Sequence, residues 1–440
     1  MSDALPDGWK QATFKSICRS LVNGGTPDTG NDKYWGGKTP WVTGADFTSN
    51  GIGEIRRYVS EAGIRSSSTN VVRAGNLLLV TRTGVGKLAV APCDIAISQD
   101  ITGIYLDESE ANSDFVYFLM KRGVEDLKKR NQGTSINGII RADLEEYVVQ
   151  IPSSLMEQER IASILATTES AIEKTESLIV KYQQIKAGLM HDLFTRGVTA
   201  DGKLRPPREQ APELYKETPI GWIPKEWNVV RFDNPDIAII DGDRGVHYPH
   251  ADELLESGYC LFLSATNVTR NGFKFDVSQF ISRDKDELLG TGKLVRGDIV
   301  ITTRGTVGNI AYFDGNIAFS NLRINSGMVI IRSTHRKLDT EFFYCALQNY
   351  VFLREYQRVI SGSAQPQIPI KDIKRFHCLM PSLPEQRLIV SRVALIDSRL
   401  RSEEGFLVKL RQQKHGLMHD LLTGKVRVKV EPELAEMADG

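Results

Sequence analysis

Two His-Asp pairs raise the first question of chemistry. His191-Asp192 and His419-Asp420 sit inside nearly identical octapeptides, GLMHDLFT from Gly188 and GLMHDLLT from Gly416. Histidine beside a carboxylate is raw material for a metal-dependent hydrolase. The pattern argues against that use, because adjacent helical residues point about 100° apart and no HExxH or comparable ligand set accompanies either pair. The octapeptides read instead as helix ends. Leu189, Met190, Leu193 and Phe194 supply packing surface, and histidine suits the C-terminal end of the helix dipole. Other catalytic signatures are missing: the chain has no Asn/Asp-Pro-Pro-aromatic box for amino methylation and no GxSxG elbow. Pro235-Asp236 opens a nuclease-like pattern, but the following IAIIDGDRG contains no Asp/Glu-x-Lys element.

Hydrogen-bonding residues in turns offer a different chemistry. RTGVG (Arg82 to Gly86) and RGTVG (Arg304 to Gly308) each fall between two apolar, strand-like runs, NLLLV before KLAVA and DIVIT before NIAYF. A phosphate-cradling loop needs GxxxxGK[ST] ahead of a helix, which neither turn has. A polar hairpin carrying one arginine can enter a DNA groove. Equally, the glycines can serve turn geometry while the arginine caps a sheet edge.

The turns belong to a larger repeat. The octapeptides are offset by 228 residues (188 to 416), and Glu157-Gln158 pairs with Glu385-Gln386 at the same offset. The hairpins repeat at an offset of 222 (75 to 297), and LPDGW ending at Trp9 loosely matches IPKEW ending at Trp227. Such half-chain self-similarity marks an internal duplication. Between Glu-Gln and octapeptide, Ile161, Leu165, Thr168, Ile172, Thr175, Ile179 and Tyr182 step by four and three, as in a coiled-coil seam. Shifted by 228, those positions hold Ile389, Val393, Ile396, Leu400, Glu403, Leu407 and Leu410. Beyond Tyr182 the apolar pattern passes to Ile185, Leu189 and Leu193, which predicts a stutter. Each helix should begin after a Pro-Ser turn and stop before Gly197 or Gly424. The remaining halves alternate short apolar runs, glycine-bearing turns and one helical stretch each, SDFVYFLMKRGVEDLKKR and DTEFFYCALQNYVFLREYQ, an α+β pattern.

Composition narrows the partners. Lys+Arg and Asp+Glu are 55 each. Residues 1–150 hold 17 basic and 18 acidic side chains, residues 221–380 hold 19 and 18, so neither half is a basic domain. A nucleic-acid reader so balanced needs local charge placement or a partner that supplies phosphate contacts. No apolar run approaches a membrane span, MSDALPDGWK is unlike a secretory signal, and five cysteines without CxxC spacing suit reduced thiols in a cytoplasmic protein.

GGTPDTGNDKYWGGKTPWVTGADF (Gly24 to Phe47), the Pro-Ser…Glu-Gln helix starts and DGKLRPPREQAPELYKETPIGWIPKEW (Asp201 to Trp227) together resemble the specificity (S) subunit of type I restriction-modification systems, across almost the whole chain. That resemblance implies two globular α+β target-recognition domains, separated by two long antiparallel helices in a coiled coil with a pseudo-twofold internal repeat. It implies an asymmetric bipartite site on double-stranded DNA, two methylation (M) subunits and restriction (R) subunits, in a bacterial or archaeal cytoplasm. S-adenosylmethionine, ATP and Mg would sit on those partners, none on this non-catalytic chain. The expected division is 1–152 first recognition domain, 153–197 first spacer helix, 198–220 linker, 221–381 second recognition domain, 382–424 second spacer helix and 425–440 tail. Arginine pairs with guanine and Asn or Gln with adenine. The DNA-contact candidates are accordingly Arg82 and Lys87, Arg304 and Asn309, Arg323, and the polar residues Asn131, Gln132, Asn137, Gln365 and Gln367. Two other classes stay open: a stand-alone DNA-modifying enzyme with an unrecognised catalytic motif, and a coiled-coil scaffold that binds no DNA.

Overall fold

The computed structural model describes residues 5–48, 51–130, 138–349, 352, 356 and 367–429. The chain divides into two compact units, Met1–Ser177 with Glu404–Gly440, and Leu178–Glu403. The division falls inside the two long helices, Leu155–Thr195 and Leu383–Leu421. Each helix thus gives its first part to one unit and its last part to the other.

The seam residues explain why the helices pair. Ile161, Leu165, Ile172, Thr175 and Ile179 are buried, as are Ile389, Val393, Leu400 and Leu410. Thr168, Tyr182, Ile396, Glu403 and Leu407 are half-buried. The predicted stutter is corrected: Ile185 is exposed, and the seam keeps its four-three steps through half-buried Lys186 to Leu189 and buried Leu193. A lysine can hold a seam position because its stem packs while its ammonium reaches outward. Lys186 does so with Asp397 at 2.6 Å, and its counterpart Lys414 with Glu169 at 2.7 Å. Arg411 with Glu176, beside Lys414 with Glu169, shows that the two helices run antiparallel in the first unit.

In the first unit, Trp9–Thr13 pairs antiparallel with Val148–Pro152, bringing the module's start beside the helix start. One sheet runs Cys18–Asn23, Ile101–Leu106, Leu77–Val80, Leu88–Val90; a second runs Arg57–Val59, Trp35–Val42, Ile95–Ile97, Asn70–Val72. Leu77–Val80 is buried at every residue, which is why it reads as a continuous apolar run rather than alternating. The helix Ser113–Arg130 packs Phe115, Phe118, Leu119 and Leu127 into the core that also receives Leu421 and Leu422.

The second unit repeats this plan. Asn228–Arg231 pairs with His377–Met380, and a sheet runs Ile237–Asp241, Met328–Ser333, Ile299–Thr302, Ile310–Tyr312. A second sheet runs Phe280–Ile281, Cys260–Leu263, Leu322–Ile324. A parallel pairing recurs as well, Trp35–Val42 with Ile95–Ile97 and Cys260–Leu263 with Leu322–Ile324. The octapeptide residues Met190, Leu193 and Phe194 enter this unit's core, with Phe194 stacked on Phe342. Full burial of such side chains stabilises by about 1.5–3 kcal/mol each.

Candidate nucleic-acid interface

Each module is anchored to the helices by the repeated Glu-Gln. Gln158 is fully buried; its Nε2 donates to Glu110 O (3.1 Å) and Pro152 O (2.9 Å), and its Oε1 accepts from Asn112 N (2.8 Å). Gln386 makes the same three bonds with Lys337 O (2.8 Å), Pro381 O (2.8 Å) and Asp339 N (2.8 Å). Glu157 accepts from Trp9 Nε1 (3.4 Å) and from both Nε and Nη2 of Arg427 (2.8 Å each). Glu385 accepts from Trp227 Nε1 (3.1 Å), Val198 N (2.8 Å) and Arg205, whose second contact is 3.2 Å. Burial works against the charge of Arg205, yet Glu385 and Glu226 raise its pKa. The two arginines were missed in the sequence. Their common position, a short way beyond Gly197 or Gly424, was the available signal.

Those glycines end the helices in the left-handed region, φ +66° and +69°. A Cβ on Gly197 would come 2.3 Å from Glu385 Oε1 and 2.4 Å from Trp227 Cζ2; one on Gly424 would come 2.7 Å from Pro6 and 2.9 Å from Trp9. The stop signal is thus also a close approach, where only glycine fits. His191 and His419 are exposed on these helix ends. Among the described residues, no group of three His, Cys, Asp or Glu is placed to hold a metal.

The arginine turns join two antiparallel strands in both modules, Leu77–Val80 with Leu88–Val90 and Ile299–Thr302 with Ile310–Tyr312. Gly86 N donates to Val80 O (2.8 Å) and Gly308 N to Thr302 O (2.9 Å), with φ +91° and +92°. Arg82 N and Arg304 N donate to equivalent carbonyls, Asp100 O and Gly327 O. Both arginine side chains are exposed. Exposed Gln367 lies across a β-bridge from Arg304, so these two candidates are brought together.

Three other candidates have different surroundings. Lys87 is half-buried and its Nζ donates to Phe47 O (2.6 Å) and Gly44 O (3.4 Å). Asn309 Nδ2 donates to Val268 O (2.8 Å). Arg323 is corrected: it is 3% exposed, and Asp286 Oδ1 accepts its Nε (2.8 Å), Asp286 O its Nη2 (2.8 Å) and Thr291 O its Nη1 (2.5 Å). The strand Leu322–Ile324 is buried at every residue, so the arginine is enclosed along with its apolar neighbours and is matched by a buried carboxylate. Burial opposes the charge of Asp286, but Lys293 and Arg323 hold its carboxyl below the usual range. Asn131, Gln132, Asn137 and Gln365 lie outside the described residues.

A loop passed over in the sequence lies beside each turn. VTGADFT (Val42 to Thr48) and LSATNVT (Leu263 to Thr269) occupy corresponding positions at an offset of 221, with Thr48 and Thr269 the one identity. Each carries a capping box, Thr43 with Asp46 and Ser264 with Asn267. Burial opposes ionisation of Asp46, but Thr43 and Arg56 together hold its carboxyl low.

The architecture defines a class: a duplicated α+β module, each copy clamped to paired long-helix segments and carrying an exposed arginine turn. The chain belongs to the family of the type I restriction modification DNA specificity domain, whose model matches residues 6–182 and 224–412, once per module. It is similar to the type I restriction enzyme MjaVIII specificity subunit of Methanocaldococcus jannaschii, 23% identical over 97% of this chain and 94% of that one. It is also similar to the EcoDI specificity subunit of Escherichia coli, 21% identical over 74% and 73%. The fold is shared with the type I restriction-modification S subunit from M. genitalium, at a TM-score of 0.58 and 18% identity over 96% of this chain and 97% of that one. Among the described residues no helix is long and apolar enough to cross a membrane.

Proposed function

We propose that this chain is the DNA-recognition subunit of a type I restriction-modification complex, reading an asymmetric bipartite site on double-stranded DNA with one module per half. The observation that carries this reading is the repeated hairpin. One backbone frame presents an exposed arginine in each module, Arg82 and Arg304, while the residues around it differ. Arginine is the side chain best matched to the O6 and N7 acceptors of guanine, and Gln367 beside Arg304 suits adenine. Charge balance in each half leaves most of the phosphate grip to other subunits. Two methylation subunits, with S-adenosylmethionine, would dock on the helices, and restriction subunits, with ATP and Mg, would complete the assembly. Chemistry would reside on those partners.

The test is methylation of adenines in defined duplexes by the chain alone and with its cognate methylation subunit. Activity should appear only in the mixture. Exchanging residues 1–150 for another subunit's first module should change one half-site and leave the other intact. Turnover by the isolated chain, or a change in both half-sites, would overturn the reading.

A further inference from the structure

The loops beside the arginine turns support a further inference, which rests on the DNA-reading function proposed above. The two parts touch. A Cβ on Gly44 would come 2.1 Å from Thr83 O, and in the second module Thr306 Oγ1 donates to Ala265 O at 3.4 Å. Next to these contacts stand exposed Ala45 and exposed Thr266, one residue on from Gly44 and Ala265. Each loop therefore brings a second exposed side chain alongside Arg82 or Arg304.

One tie between the two parts recurs at the same place in both modules. Lys87 and Asn309 follow directly on Gly86 and Gly308, the same place in the turn, and donate to Phe47 O and Val268 O, the same place in the loop. Chemically unlike residues thus share a bond at the same point, to which Lys87 adds a longer one to Gly44 O. The turns do not need it to close. Val80 N donates to Lys87 O (2.8 Å) and Thr302 N to Asn309 O (3.0 Å), with the glycine bonds already described. What the tie sets is the spacing between two exposed edges. Hydrogen bonds to bases tolerate only a few tenths of an ångström in donor–acceptor distance, so that spacing matters to readout.

We propose that each module reads its half-site with a two-part edge, the arginine turn together with the Thr43–Thr48 or Ser264–Thr269 loop, and that Lys87 and Asn309 are positioning residues holding the parts in register. Arg82 and Arg304 would address guanine. Ala45 and Thr266 would address the neighbouring base pair, through a methyl suited to thymine or, in Thr266, also a hydroxyl.

The test uses the chain assembled with its methylation subunits, and duplexes carrying each single-base change in either half-site. Lys87→Met keeps the stem and removes the donor; Asn309→Asp is isosteric and sets an acceptor against a carbonyl. Lys87→Met should lower base discrimination about tenfold in the first half-site alone, and Asn309→Asp similarly in the second alone. Lys87→Arg, which still donates, should restore most of it. Should Lys87→Met fail to assemble, Gly44→Ala pushes the loop away from the Thr83 carbonyl while the Lys87 ammonium and its Phe47 acceptor are kept, and should relax the same half-site. Unchanged discrimination in assembled variants, or a uniform loss of methylation with base preference intact, would overturn the inference while the wild-type complex still methylates its site. Failure of the wild-type complex to methylate any bipartite site would overturn the underlying reading instead.

Discussion

The anchors and the arginine-turn edges of this protein are both duplicated, but not in the same way. At the anchors, side chains repeat with their bonds: Glu157 and Glu385, Gln158 and Gln386, Trp9 and Trp227. At the edges, backbone frames repeat while side chains diverge, so that Lys87 corresponds to Asn309 and Ala45 to Thr266. A bond between buried groups has one good solution, because an unmatched partner costs the full desolvation of a polar atom. An exposed edge meets no such demand from the fold and is free to vary.

The largest expected effect breaks the symmetry of the anchors themselves. Arg205 and Glu385 side chains are each 7% exposed, whereas Arg427 is 44% exposed beside Glu157. Glu385→Ala leaves the buried Arg205 guanidinium with exposed Glu226 as its remaining carboxylate and strands the Trp227 N–H, and should cost about 3–5 kcal/mol. Glu157→Ala should cost clearly less, since water can reach Arg427. Chemical denaturation of the two variants measures the difference, and equal losses would show that exposure does not decide it.

The glutamines should behave alike. Gln158 and Gln386 are both fully buried and make the same three bonds. Replacing either with alanine should cost about 1–3 kcal/mol, within error of the other by the same denaturation experiment. A large disparity would mean the two anchors are not energetic equivalents.

At the edges, Arg82→Ala and Arg304→Ala should each relax one half-site and spare the other. The expected loss is about 1–3 kcal/mol of discrimination at a single base position, read as methylation of single-base variants of the site. Relaxation of both half-sites by either substitution would contradict independent modules.

The smallest effect concerns acid. Glu169 and Asp397 are counterparts at the helix seam, each paired with a seam lysine, but Glu169 has Lys121 as an additional partner at 2.7 Å. Burial works against its charge, yet Lys121 and Lys414 hold the Glu169 carboxyl below its ordinary value of 4.5. A depressed carboxylate stabilises fully above that ordinary value, and the contribution disappears as pH falls through the folded one. Glu169→Gln should therefore lower stability by about 1 kcal/mol at neutral pH and converge on the wild type in acid. Melting temperature against pH tests this, and a loss that persists in acid would assign the effect to packing.

Local pattern was sufficient for the long helices, the duplication and the arginine turns. Heptad steps, a glycine stop and an apolar run flanking a glycine turn each act through neighbours in the chain. Ser113–Arg130 could be read as a helix from its own residues for the same reason. Periodicity failed at Lys186, where an apolar-only rule chose the exposed Ile185; a seam lysine is recognisable only when its partner Asp397 is in place. Arg323 failed likewise, because burial beside Asp286 is set by a carboxylate 37 residues away. Arg205 and Arg427 reach glutamates 180 and 270 residues distant. The loop carrying Ala45 shares one identity in seven with its counterpart, and nothing local says that it lies against the turn at Thr83. The chain alone determined which elements form and that they form twice. Tertiary structure decided which polar side chains turn inward to satisfy buried partners and which remain exposed, since that choice depends on groups far apart in sequence.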